Sequence, residues 1–444
     1  MNSKTNKQIL QARLVALDVL LDIFKQKQAL DTSFDAKSKD LSAQDKKFSF
    51  ALLNFVLRHT AAIDAVICQY MDKPFKPNSI ERQILRIGLA QLFFMDSVEE
   101  FACIHTTVEL AKIRAKSSFK VINAVLRTAQ EKAFDFLEEN DELMYQVPAW
   151  LDEVLTRDYP QKAASIKSAM LKQGKVYVRL RARPAQEFLK KNAFMVKPLT
   201  GAWELKQGVD VNTIPKLEEF SVYVQDIASQ LVGYTLAAKI EQDGKLEDKL
   251  DVLDMCAAPG GKTIQLVDML PYANITACDN NANRLKTLES NLQNACPDDQ
   301  ARLNIVLNDA TKPDFKEQSF DYILLDAPCS GLGISRKHID VLHLRTPEEV
   351  KSVVELQKQI LPKAFNLLKP GGVMMYSTCS LLKDEGEHQV NEFLKNNDKA
   401  TIINIEDVYH EFGKITKEGF LRTFPTENID GFFMALIQKN RNLR

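Results

Sequence analysis

The sequence predicts a multidomain protein with an all-α N-terminal domain, a small α+β linking subdomain and a C-terminal α/β domain of the Rossmann-like type. Three observations support this order. Apolar residues recur at helical spacing early in the chain, one stretch near residue 178 alternates, and buried strands beyond residue 250 end in glycine or polar residues. The predicted domains are residues 1–138, 139–222 and 223–444. A chain of 444 residues is too long for one ordinary core, which agrees with a division.

The N-terminal domain shows helical periodicity throughout. Leu14, Leu17 and Leu21 recur at intervals of three or four, and the same spacing returns from Phe50 to Leu57 and from Ile84 to Leu92. This spacing places apolar side chains on one face of a helix. Residues 1–130 also carry more Lys and Arg than Asp and Glu. A modest basic surplus occurs on ordinary helical surfaces as well as on surfaces that bind phosphate, so it does not decide between them.

The linking subdomain combines a helix with an alternating stretch. Pro148 opens a helix that is predicted to reach about residue 172, and residues 175–181 alternate like a strand. In that strand Arg179 and Arg181 share one face. Two interpretations stay open, because the arginines either present positive charge to RNA or form the solvated face of an edge strand.

A turn rich in small residues follows the buried strand that ends at Asp254. The turn and the helix start form the predicted cofactor loop, which consists of Cys256, Ala257, Ala258, Pro259, Gly260, Gly261 and Lys262. Glycine lacks the Cβ that would hold a ligand away from the backbone, and amides at a helix N-terminus favour an anion such as a carboxylate. A P-loop is excluded because Cys256 stands where its first glycine belongs, and the dinucleotide pattern GxGxxG is absent.

Two aspartates follow the next two predicted strands. Asp279 ends the second strand, where an acidic side chain suits the two hydroxyls of a ribose, and Asp309 follows the third, where it suits an adenine amino group. Each aspartate has an alternative interpretation as the cap of the helix that follows. Together with the glycine turn, they predict a cleft for an adenosine-like ligand.

Two cysteine segments carry the predicted chemistry. DAPCSGLG, residues 326–333, and YSTCS, residues 376–380, each follow a predicted strand. Open α/β sheets carry their chemistry at strand carboxyl ends, so Cys329 and Cys379 should meet at one sheet edge. Two thiols at one edge predict covalent catalysis. The remaining cysteines are expected to serve as small hydrophobic side chains, namely Cys68, Cys103, Cys256, Cys278 and Cys296.

The motifs resemble those of a known family. DMCAAPGGKT, DAPCSGLG and YSTCS, in this order and spacing, resemble the segments of the Nol1/Nop2/Sun family of RNA cytosine-C5 methyltransferases, and the likeness covers roughly residues 145–440. The N-terminal segments RLVALDVLLDIF and ERQILRIGLAQLFFM are similar to helices of NusB-like RNA-binding domains. This fusion resembles the bacterial members that act on small-subunit ribosomal RNA. The resemblance implies S-adenosyl-L-methionine as the cofactor and 16S ribosomal RNA as the partner.

The resemblance also implies a role for each candidate catalytic residue. It assigns the attack on cytosine C6 to Cys379, and removal of the C5 proton or product release to Cys329. The Pro-Cys setting of DNA cytosine methyltransferases would have pointed to Cys329 as the nucleophile instead. Asp326 is expected to contact both the cytosine ring and the cofactor. Lys262 is expected near the cofactor and the catalytic centre.

Two loops depart from the family pattern. After YSTCS, the sequence LLKDEGE replaces a proline and Glu-Glu-Asn, although Glu385 remains. After SGLG, the stretch that contains His338 and His343 also differs. For these two histidines, contact with RNA is one interpretation, and exposure without a specific task is the preferred one.

Composition and cysteine usage limit the class of protein. The contents of 45% hydrophobic and 26% charged residues are typical of a globular protein in water. Apolar runs are shorter than a membrane span, and the first residues lack the apolar core of a secretion signal. Seven cysteines without a CxxC pair favour reduced thiols over disulfides or a zinc site. These features predict a cytoplasmic protein without metal or membrane, and the chain is expected to be a monomer.

Three functional alternatives stay open from sequence. The first is the same C5 chemistry on transfer RNA, and the second is an RNA-binding assembly factor without catalysis. The third is methyl transfer to an amino nitrogen, which has a lone pair and needs no thiol. Against the third, DAPC stands where such enzymes carry a motif like Asp-Pro-Pro-Tyr.

Overall fold

The computed structural model describes residues 3–405 and 407–441. Its α-helices are, in chain order, α1 (Ser3–Leu21), α2 (Leu30–Lys37), α3 (Ala43–Arg58), α4 (Thr60–Gln69), α5 (Ile80–Phe94), α6 (Glu100–Arg114), α7 (Phe119–Glu139), α8 (Ala149–Asp158), α9 (Ala163–Met170), α10 (Gln186–Asn192), α11 (Ile227–Gln242), α12 (Gly261–Met269), α13 (Ala282–Ala295), α14 (Val341–Leu344), α15 (Pro347–Leu367) and α16 (Glu387–Lys395). Its strands are β1 (Tyr177–Leu180), β2 (Ala193–Met195), β3 (Ala202–Leu205), β4 (Val222–Val224), β5 (Asp251–Asp254), β6 (Asn274–Asp279), β7 (Leu303–Leu307), β8 (Phe320–Asp326), β9 (Leu368–Thr378), β10 (Ala400–Ile403), β11 (Lys414–Ile415), β12 (Leu421–Arg422) and β13 (Phe433–Lys439).

Contacts divide the chain into two units. The helical unit comprises Met1–Lys172 and Ser335–Thr346, and the sheet unit comprises Gln173–Ile334 and Pro347–Arg444. The boundaries expected at residues 138 and 222 do not coincide with this division. α8 and α9 group with the helical unit because the Arg58 guanidinium donates to the carbonyls of Leu171 and Lys172 at 3.2 and 3.0 Å. The strands β1 to β4 group with the sheet unit. A division into three folding domains stays a prediction.

In the helical unit, α5 is the central helix. Its residues from Arg82 to Gln91 are all buried, and it contacts α1, α3, α6 and α7. Serine caps fix where two helices begin. Ser42 Oγ accepts from the Asp45 amide before α3, and Ser79 Oγ accepts from the Arg82 amide before α5, so each supplies a partner for an amide that the helix itself cannot satisfy. The all-α prediction for this part of the chain is confirmed.

Residues 335–346, which we call the inserted segment, belong to the helical unit although they lie far along the chain. Asp340 Oδ2 accepts from the Leu30 amide at 2.9 Å, at the start of α2. His343 Nε2 lies 2.9 Å from the Leu57 carbonyl, and its ring centroid lies 5.2 Å from that of Phe24. Burial lowers the pKa of His343 to about 4. The expectation that His343 is exposed without a task is therefore wrong, because the imidazole packs inside the helical unit.

Membrane-spanning potential among the described residues is confined to one bent pair of helices. No single helix there has the length and apolar character needed to cross a bilayer. α3 and α4 meet these criteria together, by length and composition alone, and they are bent by 70°.

The sheet unit is built on a large mixed sheet. Its strand order is β11-β12-β13-β9-β8-β5-β6-β7, with β10 paired to β13. The five strands from β9 to β7 in this order run parallel, and β13 runs antiparallel to β9. Both faces are covered, since the successive residues Val252 and Leu253 enter different hydrophobic clusters. The order reverses between β5 and β8, where open α/β sheets bind their ligands. The predicted Rossmann-like fold class is confirmed.

The smaller sheet of the sheet unit contains the two arginines of the alternating stretch. Its order is β2-β3-β1-β4, all antiparallel, so β1 is a central strand. Arg179 is 4% exposed, and both Arg179 and Arg181 pair with Asp268 of α12. Neither interpretation of these arginines from sequence was right. The face that carries them packs against α12, where the Asp268 carboxylate forms an ion pair with each cation.

Candidate active site

The two motif cysteines meet at the carboxyl edge of the large sheet. β8 and β9 are parallel neighbours with Asp326 opposite Ser377, so the loops after them emerge side by side. Cys329 and Cys379 are partly buried, and their sulfur atoms lie 3.0 Å apart. The structure thus brings together the two thiols that the motifs predicted at one edge.

Backbone contacts hold these two loops together. The Gly333 amide donates to the Cys379 carbonyl at 3.0 Å, and the Gly431 amide donates to the Gly333 carbonyl at 2.8 Å. A Cβ on Gly333 would lie 1.8 Å from the Gly431 carbonyl oxygen. No other residue type fits at Gly333 without moving a loop, because this approach is far inside van der Waals contact.

Asp326 is fixed from two sides. Lys262 Nζ lies 2.7 Å from Asp326 Oδ2, and Ser377 Oγ donates to Asp326 Oδ1 at 2.8 Å. Burial alone would lower the pKa of Lys262, but the charge and hydrogen bond of Asp326 raise it above its ordinary value. Lys262 therefore stays an ammonium ion, and it also lies 5.4 Å from the centroid of the Phe432 ring. Lys262 joins the glycine turn after β5 to the cysteine loop after β8.

The two thiols share one hydrogen bond, in which either sulfur can be the donor. The hydrogen bond with Cys379 and then burial raise the pKa of Cys329 well above its ordinary value. A raised pKa disfavours the thiolate form of Cys329, which is the form that a nucleophile needs.

The predicted cofactor loop crosses from β5 to α12. Gly260 has φ of +111°, a left-handed conformation that favours glycine. α13 holds the loop in place, since Arg284 donates to the Ala258 carbonyl at 2.7 Å and Asn291 donates to the Pro259 carbonyl at 2.8 Å. Ala257 and Ala258 are buried, and Gly261 begins α12 with Lys262 next to it. The loop starts at the carboxyl end of β5, on the edge of the sheet where the two cysteine loops also start.

Two buried oxygen atoms at this edge lack a partner among the described residues. Asp254 Oδ2 accepts from Thr263 Oγ1 at 2.6 Å, but Asp254 Oδ1 is unpaired, as is Asn308 Oδ1 after β7. Burial raises the pKa of Asp254 to about 7. Buried acceptors normally have hydrogen-bond partners, so these two atoms mark a place for a ligand with donor groups. Sequence reasoning used Asp254 only as the end of a strand and did not select Asn308; an unpaired atom becomes visible only in three dimensions.

The two predicted adenosine-binding aspartates differ in environment. Asp279 is 3% exposed, accepts from the Asn281 amide at 3.0 Å and lies 3.3 Å from the Arg284 guanidinium. Asp309 is exposed and accepts from both the amide and the hydroxyl of Thr311 at 2.8 Å, which lowers its pKa. Asn281 caps α13, so Asp279 does not cap that helix. Asp309 is engaged in a local turn and caps no helix, because the next element after β7 is the strand β8.

The other cysteines fall into three environments. Cys103, Cys278 and Cys296 are buried, as expected for small hydrophobic residues. Cys256 is partly buried, and burial raises its pKa well above the ordinary value, so its thiol is inert. Cys68 is exposed in the helical unit, so the expectation for it was wrong. No group of three or more His, Cys, Asp and Glu side chains that suits a metal ion occurs among the described residues.

Comparison with known proteins defines the family. The model of the 16S rRNA methyltransferase RsmB/F family matches residues 244–438, and that of the NusB family matches residues 10–131. A ribosomal RNA small subunit methyltransferase B from Xanthomonas campestris is 30% identical over 439 residues, which cover 96% of this chain and 97% of the relative. The chain belongs to the ribosomal RNA small subunit methyltransferase B family. A relative of the same description from Erwinia tasmaniensis is 31% identical and covers 98% of this chain and all of its own length.

Solved structures agree with this fold. The crystal structure of PH0851 has a TM-score of 0.75, with 21% identity, and the match covers 97% of this chain and 99% of that one. NSun6 from Pyrococcus horikoshii with SFG has a TM-score of 0.57, with 19% identity, over 66% of this chain and 99% of that one. Family membership confirms the predicted methyltransferase activity and S-adenosylmethionine as the cofactor. The unpaired buried acceptors fit that cofactor, which carries an ammonium group and an adenine amino group as donors.

Proposed function

We propose that this enzyme methylates C5 of a cytosine in 16S ribosomal RNA through a transient bond between Cys379 and cytosine C6. The observation that carries the proposal is the pair of thiols 3.0 Å apart at the edge of the sheet. Methyl transfer to a nitrogen or oxygen needs no sulfur nucleophile, whereas C5 of cytosine does, because the ring is electron-poor. The names of the curated relatives support ribosomal RNA of the small subunit as the substrate.

The two thiols divide the reaction. The Cys379 thiolate adds to C6, and the electron pair of the C5–C6 double bond moves towards C5, which then attacks the methyl group. S-adenosylmethionine supplies that methyl group when bound. A base then removes the proton from C5, the electron pair of that C–H bond restores the C5–C6 double bond, and Cys379 leaves C6 as a thiolate. We assign Cys329 to this second half, since its sulfur lies beside the sulfur that must depart.

Asp326 and Lys262 hold the ring during addition. The Asp326 carboxylate accepts a hydrogen bond from the exocyclic amine of cytosine, and from N3 once the adduct is protonated there. Ser377 and Lys262 orient this carboxylate at 2.8 and 2.7 Å. Preorganised charges of this kind lower the barrier because they need no rearrangement when the ring becomes polarised. In this proposal Asp326 also contacts the methyl donor.

The loop from Cys256 to Lys262 and the two aspartates hold the cofactor. Amides at the start of α12 receive its carboxylate, and Asp279 binds the ribose hydroxyls. Asp309 contacts the adenine amino group. Asp254 and Asn308 join this set, since the unpaired oxygen of each accepts a donor from the same ligand. Buried acceptors become satisfied on binding, which favours the bound state.

The helical unit positions the RNA. The NusB family model covers most of its helices, and the basic surplus of residues 1–130 supplies cations for phosphate. A ribosomal substrate favours an enzyme of the cytoplasm, and we propose that it acts as a monomer.

The test is a parallel assay of the full chain with labelled S-adenosylmethionine and 16S ribosomal RNA, transfer RNA or DNA. Label is expected in the ribosomal RNA, at C5 of cytosine after nuclease digestion and mass spectrometry. Label at a nitrogen, or transfer to transfer RNA alone, would contradict the proposal.

A further inference from the structure

A buried network joins the residues that directly follow the two thiols. Ser330 follows Cys329, and Ser380 follows Cys379. Both serines are fully buried, and their hydroxyl oxygens lie 3.2 Å apart. The two cysteine loops are therefore linked by side chains just beyond the reacting sulfur atoms.

Glu385 completes this network from a third direction. Its carboxylate accepts from the Ser330 amide at 2.8 Å and from the Ser330 hydroxyl at 2.7 Å, and it is fully buried. It is also a hydrogen-bond partner of Ser380. One carboxylate thus contacts the residue after each cysteine.

The backbone of Glu385 is itself anchored to β9. The Tyr376 hydroxyl donates to the Glu385 carbonyl at 3.1 Å, and the Thr378 hydroxyl donates to the same oxygen at 3.3 Å. Tyr376 and Thr378 lie on the strand that leads to Cys379. These contacts fix the position of Glu385 relative to Cys379. The Glu385 carboxylate in turn holds the Cys329 loop, because it accepts hydrogen bonds from Ser330.

The charge of Glu385 is balanced locally. Burial raises its pKa, whereas hydrogen bonds from Ser380 and Ser330 and the positive charge of Arg422 act in the opposite direction. Arg422 also donates to the Ser380 carbonyl and pairs with Glu387. A buried polar network whose members are satisfied holds one arrangement better than an apolar cluster does, because each alternative leaves a buried group unpaired.

We infer that Glu385 is a positioning residue that, through Ser330 and Ser380, holds the two thiols at the separation that catalysis requires. This inference rests on the proposed function, in which both thiols act on one cytosine. Glu385 does not itself touch a sulfur atom in the described contacts. Its negative charge also contributes, after the Cys379 hydrogen bond and burial, to the raised pKa of Cys329. The same residue therefore helps to keep the proton on Cys329.

The test compares variants of the full chain that remove one link each. Glu385→Ala removes the carboxylate, Ser330→Ala removes the hydroxyl, and Glu385→Gln keeps an acceptor and a donor without the charge. Tyr322→Phe is the matched control. The Tyr322 hydroxyl donates to Asp243 at 2.7 Å, the same length as the bond from Ser330 to Glu385, and Tyr322 lies in β8 at the end away from the thiols.

The first measurement needs no RNA. Diamide takes up the two thiol hydrogens as Cys329 and Cys379 form a disulfide, and the rate of closure, followed by mass spectrometry, reports how often the two sulfur atoms meet. Closure is expected to slow at least severalfold in Glu385→Ala and Ser330→Ala, and not to slow in Glu385→Gln or Tyr322→Phe. Equal rates in Glu385→Ala and Tyr322→Phe would overturn the inference, whatever the substrate of the enzyme.

The second measurement is methyl transfer to ribosomal RNA. Glu385→Ala should lower kcat roughly ten- to a hundredfold, since displacement of a catalytic group by about 1 Å costs up to that much. S-adenosylmethionine affinity by calorimetry should not change, and more protein should remain bound to RNA on denaturing gels. The double variant Glu385→Ala with Ser330→Ala should be no slower than Glu385→Ala, because both changes break one network.

The two proposals can fail separately. Slowed disulfide closure in an enzyme that does not methylate C5 would overturn the proposed function and leave the positioning role intact. Normal closure in a Glu385→Ala variant of an active C5 methyltransferase would overturn the positioning role alone. The positioning role would also be overturned if kcat fell in proportion to the loss of thermal stability, and to the same extent in Glu385→Ala and Tyr322→Phe.

Discussion

The helical unit and the sheet unit both bury ionisable groups, but these groups differ in whether all their polar atoms have partners. In the sheet unit, burial raises the pKa of Asp254 to about 7, and one of its oxygens stays unpaired. In the helical unit, burial lowers the pKa of His343 to about 4, and its ring packs on Phe24 beside the Leu57 carbonyl. The buried acid keeps one oxygen without a partner among the described residues, whereas the buried base His343 completes an internal contact. A perturbed pKa alone therefore does not distinguish a binding site from internal packing, and the partners of the group have to be considered as well.

The largest expected effect on methyl transfer comes from substitution of the two thiols, both of which lie in the sheet unit. Cys379→Ser should reduce methyl transfer by more than about a thousandfold and form no RNA adduct, because a hydroxyl without a dedicated base cannot replace a thiolate. Cys329→Ser should allow attack but stall release, so protein accumulates on RNA through Cys379. Denaturing gel electrophoresis after incubation with RNA and S-adenosylmethionine measures both.

The exposed thiol of the helical unit supplies the control for this prediction. Cys68 Sγ lies 3.8 Å from the Arg82 guanidinium, and Cys68→Ser should behave like the wild type. A stable adduct in the Cys379 variant and none in the Cys329 variant would reverse the assignment, with the Pro-Cys thiol as nucleophile.

The next effect concerns the pH dependence of the sheet unit. The raised pKa of Asp254 means that the folded state holds a proton that the unfolded chain releases near pH 4, so stability should fall as the pH rises from about 4 to about 7. The loss amounts to at most about 4 kcal/mol, at about 1.4 kcal/mol per pH unit. Asp254→Asn should abolish this slope. The fluorescence of Trp203, in a Trp150→Phe background, follows urea unfolding of the sheet unit in the cofactor-free protein. The same pH dependence of the unfolding free energy with Asp254 and with Asn at this position would refute the prediction.

The helical unit should show the opposite slope. The lowered pKa of His343 means that the unfolded chain takes up a proton first, so stability should fall as the pH drops from about 6.5 to about 4, by at most about 3 kcal/mol. His343→Gln should reduce this dependence. Part of it will remain, because burial lowers the pKa of His59 to about 4 in the same unit. Trp150 in a Trp203→Phe background reports the helical unit, and an unchanged acid slope in the Gln variant would contradict the contribution of His343.

A smaller effect, on the affinity for S-adenosylmethionine, is expected from Asp279 at the edge of the sheet. Asp279→Ala removes a buried carboxylate from the ribose and should cost roughly 2 to 4 kcal/mol of binding, or tens- to hundreds-fold in Kd. Its fold should persist, since α13 is capped by Asn281. Calorimetry with S-adenosylmethionine decides, and an unchanged Kd would remove Asp279 from the site.

The smallest effect is expected at Asp309. Its side chain is exposed and already engaged by Thr311, so solvent competes for any contact with adenine. Asp309→Ala should weaken S-adenosylmethionine binding by less than about tenfold, in keeping with one ordinary hydrogen bond of about 1 kcal/mol. A loss as large as that of Asp279→Ala, measured in the same calorimetric series, would show that both aspartates are equal anchors.

The sheet unit was predictable from sequence where its chemistry lies at the ends of strands. Asp254, Asp326 and Cys379 each stand directly at or after a strand, and parallel strands bring their carboxyl ends to one edge, so adjacency in space follows from local sequence. The family resemblance, and not this reasoning, placed Lys262 near the cofactor and the catalytic centre. Its contact of 2.7 Å with Asp326 joins residues from two such segments.

Contacts made across long stretches of chain were not predictable. Arg179 finds its partner Asp268 in α12, 89 residues later, and the alternation of β1 says nothing about what covers that face. His343 meets the Leu57 carbonyl across 286 residues. Motifs record local backbone geometry, whereas these partners depend on how elements pack. Glu385 lay in the loop that departs from the family pattern, and its connection to Ser330 appears only in the folded loops.

The inserted segment sets an order on the synthesis of the chain. A ribosome makes the protein from residue 1, so α1 to α9 emerge long before Ser335–Thr346. Until then the amide of Leu30 lacks the carboxylate of Asp340, and the contact surface of Phe24 lacks the ring of His343. The helical unit is thus completed late, when most of the sheet unit has already been synthesised. Completion of the helical unit therefore waits for a segment that is translated only after residues 173–334 of the sheet unit.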